Sequence, residues 1–104
     1  MTVLEKEIEA KLVKLVKQNG GLALKWVCPS HSGVPDRIVL LPGGRIVFVE
    51  LKRPKGGRVS KLQEKWHEIL VGLGFHCLII CDEDMLRLFE LMFIKQTESR
   101  EVVK

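Results

Sequence analysis

Asp36, Glu50 and Lys52 are the residues of this 104-residue chain whose types and spacing best suit chemistry. They stand at the ends of two apolar runs, RIVLL at 37–41 and RIVFVEL at 45–51, joined by Pro42-Gly43-Gly44. An ionised carboxylate moved out of water is costly unless it is paired or metal-bound, so acids bordering buried strands need a partner. If the runs pair as an antiparallel hairpin, the start of the first lies beside the end of the second, and Asp36 meets Glu50. Glu50 and Lys52, two apart in a strand, share a face, with Leu51 turned to the other. Two carboxylates and an ammonium then converge. That set can hold a hard divalent cation such as magnesium, leaving water positions open. The chemistry it suits is hydrolysis of a phosphodiester, with a metal lowering the pKa of bound water and Lys52 orienting that water or neutralising developing charge. The same residues also fit structural ion pairs, Asp36 with Arg37 or Arg45 and Glu50 with Lys52 or Arg53, and spacing alone leaves both readings open.

The elements that must position these groups follow from periodicity. Thr2 and Glu5 fit a capping box, and Leu4, Ile8, Leu12, Leu15 and Val16 recur at helical spacing until Asn19-Gly20-Gly21. Residues 22–28 read as a strand and 29–35 as a loop. The near-continuous apolar character of 37–41 and 45–51 predicts burial on both faces of the sheet. A basic loop, Lys55-Gly56-Gly57-Arg58, precedes a helix that Ser60 caps and that carries Leu62, Trp66, Ile69, Leu70 and Leu73. A strand over 75–81 follows, then a last helix started by Asp82 or Asp84. The order α-β-β-β-α-β-α predicts an α+β fold, a mixed sheet flanked by helices, as one domain over 1–94 with a polar tail at 95–104.

Composition excludes several classes. The balance of 46% apolar and 29% charged residues is that of a globular domain rather than a disordered or fibrous one. No apolar run approaches the roughly 20 residues a membrane helix needs, and the charged N-terminus is unlike a signal peptide, so no membrane partner and a cytoplasmic, intracellular location are expected. Three cysteines without CxxC spacing read as small buried hydrophobes rather than a zinc site. A net charge of +4 suits a polyanionic partner without requiring one.

Pro35-Asp36 followed by Glu50-Leu51-Lys52 resembles the PD-(D/E)XK nuclease signature. More closely, GVPDR, the PGG turn, VFVELK and SKLQ are similar to the virus-type replication-repair nuclease (VRR-NUC) family, over about residues 5–82. The resemblance implies a restriction-endonuclease-like α-β-β-β-α-β core with an extra C-terminal helix. It implies Mg2+ or Mn2+ held by Asp36, Glu50 and the Leu51 backbone carbonyl, with Lys52 as catalytic lysine. It further implies a glutamate from the first helix, for which Glu9 is chosen over Glu5, and Gln63 near the site. For these the structural alternatives are helix-end acids and a second capping box, Ser60 to Gln63.

The implied activity is metal-dependent endonuclease cleavage of branched DNA in the manner of a Holliday-junction resolvase, by a homodimer, as in compact phage-encoded members. The alternative is a nucleic-acid-binding module that keeps the fold without turnover. Lys25, His31, Arg37, Arg53, Lys55 and Arg58 surround the site in sequence and suit phosphate contacts. Trp26 and Trp66 suit either base stacking or core packing. The last helix, rich in Leu, Met and Phe, suits either a dimer surface or a cover for its own sheet.

Overall fold

The computed structural model describes residues 3–53 and 57–95, so Thr2, Lys55 and the tail from 96 lie outside the described residues. Helix α1 spans Val3–Gln18, and strands β1 Leu22–Lys25, β2 Arg37–Leu41 and β3 Arg45–Leu51 follow. Helix α2 spans Lys61–Gly72, β4 His76–Ile80 and α3 Glu83–Phe89, which continues as a π-helical turn over Glu90–Ile94. The sheet order is β1-β2-β3-β4, antiparallel except for β4, which runs parallel to β3. This is the mixed α+β arrangement expected from the sequence.

Strand parity explains the two cores. Val39 and Leu41 of β2 and Val47, Val49 and Leu51 of β3 join Leu12 and Val16 of α1 and Phe89 and Phe93 of the last helix on one side. The residues between them face the other side, where Ile38, Ile46 and Phe48 meet Leu70 of α2, Cys77 of β4 and Trp26. Because β2 and β3 contribute to both layers, apolar residues are selected at nearly every position. The hairpin turn pairs Leu41 with Arg45, and Gly43 and Gly44 adopt φ of 83° and 75°, a left-handed region in which a side chain is strained.

Strand β1 stops at Lys25 rather than Cys28. Its last ladder bond runs from the Trp26 N–H to the Asp36 carbonyl at 3.0 Å, and beyond Asp36 the facing chain offers Pro35, which has no N–H. Helix α2 is entered through a complete capping box: the Ser60 hydroxyl accepts from the Gln63 N–H at 3.1 Å, and the Gln63 side-chain carbonyl accepts from the Ser60 N–H at 2.9 Å. Asp82 caps α3, and a Lys11–Glu83 ion pair joins α1 to α3.

Candidate active site

Continuing the β2–β3 register one step past Arg37↔Val49 places Asp36 opposite Glu50. Asp36 is held by backbone from both neighbours. Its carbonyl accepts from the N–H of Trp26, just past the end of β1, and its Oδ2 accepts from the Leu51 N–H of β3 at 2.7 Å. Glu50 is 6% exposed, the one charged residue among the buried set of the described residues. Its Oε1 accepts from the Gln63 Nε2 at 3.1 Å. The capping box fixes the other end of that amide, so the cap that starts α2 also aims Gln63 at Glu50.

The electrostatics follow from this crowding. Burial, then the hydrogen bond with Asp36, then the charge of Asp36 and, more weakly, of Glu5, push the Glu50 carboxyl from 4.5 up to about 8, while Lys52 opposes them. Two apposed carboxylates in a buried site cannot both ionise cheaply without a cation. The raised Glu50 carboxyl meets that need in the free protein by keeping its proton, and a hard divalent ion fits the same oxygen donors. Among the described residues no three His, Cys, Asp or Glu side chains converge to ligate one ion, so the side-chain donors on offer are the Asp36–Glu50 pair. Lys52 is half-buried on the face of Glu50, and its backbone N–H bonds the Ile80 carbonyl at 3.1 Å, anchoring the strand end to β4.

Of the two candidate acids on α1, Glu9 is bonded to Arg37. The Glu9 Oε2 accepts from the Arg37 Nε at 3.0 Å, with the two side chains 16% and 18% exposed, and Arg37 Nη1 also donates to the Ala23 carbonyl at 2.9 Å. The reason is parity. Arg37 follows Asp36 in the strand, so it points to the α1 side while Asp36 and Glu50 belong to the α2 side, and Glu9 is engaged by the arginine before it can reach the acids. Glu5, one turn earlier, adds the smallest of the upward pushes on the Glu50 carboxyl. Arg37 is likewise committed within the fold rather than presented to phosphate. Replacing Glu9 with Ala leaves the guanidinium partly buried without its carboxylate and is expected to cost about 1–3 kcal/mol, read as a lower denaturation midpoint in urea.

Of the other expected nucleic-acid contacts, Lys25, His31, Arg53 and Arg58 are exposed, and Lys55 lies outside the described residues. Trp26 and Trp66 pack edge to face at 6.4 Å, Trp26 lies 5.3 Å from Phe48, and both indoles are half-buried. Cys77 is buried, and burial first and the Glu50 charge second push its thiol up to about 11, so it packs as an apolar group. His67, to which the sequence gives a weaker claim than to His31, shares a cavity of about 260 Å3 with Glu50 and Gln63. Its spacing of four from Gln63 on one helix face was the available signal.

No protein-family model matches the chain. It is 42% identical over 81 residues to "Putative nuclease p44" of Acyrthosiphon pisum secondary endosymbiont phage 1, across 78% of this chain and 86% of that protein. A solved structure named "VRR_NUC domain" superposes with a TM-score of 0.82 at 24% identity, covering 88% of this chain and 99% of the other. A second, "VRR_NUC domain protein", gives a TM-score of 0.64 at 16% identity over 91% of each chain. At these identities the two structures speak to the fold.

Proposed function

The chain belongs to the same family as the putative phage nuclease it matches and has the fold of VRR-NUC domains, and from that premise we propose that it is a VRR-NUC-type, divalent-metal-dependent endonuclease that hydrolyses phosphodiester bonds in branched DNA as a homodimer. The observation that carries this reading is the buried apposition of Glu50 and Asp36 with Lys52 on the same strand face. Asp36, Glu50 and the Leu51 carbonyl would hold Mg2+ or Mn2+. When bound, such an ion supplies a more acidic water and stabilises charge on the phosphoryl oxygens.

The protein's own groups do the rest. The Leu51 N–H fixes one Asp36 oxygen, leaving the other for ligation. Gln63 fixes the Glu50 carboxylate through Oε1 and so limits its rotation. Lys52 would orient the attacking water and meet the negative charge that develops on the phosphate. Glu5 adds negative charge at the α1 side and so favours a cation between the strand ends. For the homodimer, the last helix divides its faces: Leu86, Phe89 and Phe93 cover the sheet of the same chain, while Met85, Leu88, Leu91 and Met92 stand 36–47% exposed.

The test is cleavage of labelled four-way junction, flap and linear duplex. With Mg2+ or Mn2+ the branched substrates are cut, with paired symmetric incisions in the junction, and exhaustive chelation abolishes cutting. Persistent cleavage after metal removal would overturn the metal-dependent reading, and equal cutting of duplex would overturn branch selectivity.

A further inference from the structure

The two flanks of α2 differ in charge. On the β4 side, the cavity that holds Glu50 and Gln63 is also lined by Glu64, His67 and Glu68. The carboxylates of Glu64 and Glu68 there repel a phosphate chain. On the opposite side, a cleft of about 360 Å3 lies between α2 and the loop at 30–32, lined by Ser30, His31, Ser32, Lys65 and Trp66 over a floor of Leu62 and Ile69. It offers an ammonium, an imidazole and two hydroxyls, and Lys65 has no ion-pair partner among the described residues. An aromatic wall completes it.

This cleft is built into the fold. The His31 N–H closes a turn on the Cys28 carbonyl at 3.2 Å. Gly33, at φ 85°, passes so close to α2 that a Cβ there would stand 2.7 Å from the Leu62 Cγ. The loop is therefore pressed onto the first turn of the helix that carries Gln63, and it leads within three residues to Pro35 and Asp36. Trp66 is braced edge-on by Trp26, and the His31 ring lies 5.5 Å from it. A rigid indole beside a cation is a stacking platform for a base, and every base presents the same π-face to it. In a duplex those faces are covered by neighbouring base pairs.

We propose that this cleft receives an unpaired nucleotide of the strand lying across the active site, its phosphate toward Lys65 and His31 and its base against Trp66. The inference rests on the nuclease reading and deepens it, because it makes an unpaired nucleotide at the branch point, which plain duplex lacks, the feature that is recognised. Repulsion from Glu64 and Glu68 directs the strand to the Lys65 side.

The test separates binding from turnover by using the Glu50→Gln protein. Tryptophan fluorescence is followed as an eight-nucleotide oligothymidylate is added, with a blunt hairpin duplex as comparison. The oligothymidylate is expected to quench the emission and the duplex to leave most of it. Trp66→Phe should remove most of the quench, with circular dichroism checking the fold. Lys65→Ala, at an exposed position, should weaken binding roughly threefold to tenfold and lower the slope of log affinity against log salt by about 0.7. No quench by the oligothymidylate, or a Lys65→Ala protein with unchanged affinity and salt slope, would overturn the cleft while leaving the cleavage reading intact. Quenching as expected alongside a wild type that cuts no DNA would support the cleft and overturn the endonuclease.

Discussion

Glu50→Gln is expected to lower cleavage roughly 10³-fold or more while making the metal-free protein melt at a higher temperature above pH 8. The loss follows from replacing an anionic oxygen donor, next to Asp36, with a neutral amide that holds a cation poorly. The gain has the opposite origin. Burial and Asp36 raise the Glu50 carboxyl from 4.5 to about 8, so the fold favours its protonated form. Between those values the folded chain binds more protons than the unfolded chain, and stability falls as pH rises. The stabilising contribution is complete below 4.5 and is lost as pH passes through about 8. The glutamine does not titrate, yet its carbonyl still accepts from Gln63. Calorimetry in chelator should therefore show a gap between wild type and Glu50→Gln that is large near pH 9 and closes toward pH 4.5. Equal melting temperatures across that range would mean that Glu50 is not strained by its surroundings.

Lys52→Ala is expected to reduce kcat about 10²- to 10³-fold, the scale of removing one group aimed at charge that develops in the transition state. It should also change the pH profile. Lys52 is the neighbour that holds the Glu50 carboxyl down, so its loss lets that carboxyl rise further. If ionised Glu50 is the working form, the acid limb of kcat against pH moves to higher pH in Lys52→Ala and stays near the wild-type position in Lys52→Arg. A limb that does not move in Lys52→Ala would separate the lysine from the carboxylate pair.

Much of this site was legible because a hairpin is a rigid rule. Apolar runs of known length, a Pro-Gly-Gly connection and alternation of side chains suffice to bring Asp36 opposite Glu50 and to place Lys52 with it. The capping box at Ser60 was equally visible, since it depends on residues three apart. The helix acid was not legible in the same way. Glu5 and Glu9 lie one turn apart on α1, and helical phase cannot choose between them. What distinguishes them is Arg37, whose parity sends it to the α1 side and into Glu9. That contact joins residues 28 apart in sequence and exists only once α1 has docked. The π-helical turn at Glu90–Ile94 was hidden too, because its wider winding leaves no mark on an apolar pattern already dense on both sides.

The Pro42-Gly43-Gly44 turn sits at the far end of the hairpin from the acids, and it works as their ruler. Strand side chains alternate with a period of two, so one residue added to or removed from that turn would slide the pairing by one step and exchange the faces of everything downstream. Glu50 and Lys52 would rotate toward the α1 core and Leu51 toward the α2 layer. A loop that touches neither metal nor nucleic acid is thus length-locked by the chemistry at the opposite edge of the sheet, and tolerance to insertion should be lowest where an exposed, glycine-rich tip would ordinarily make it highest.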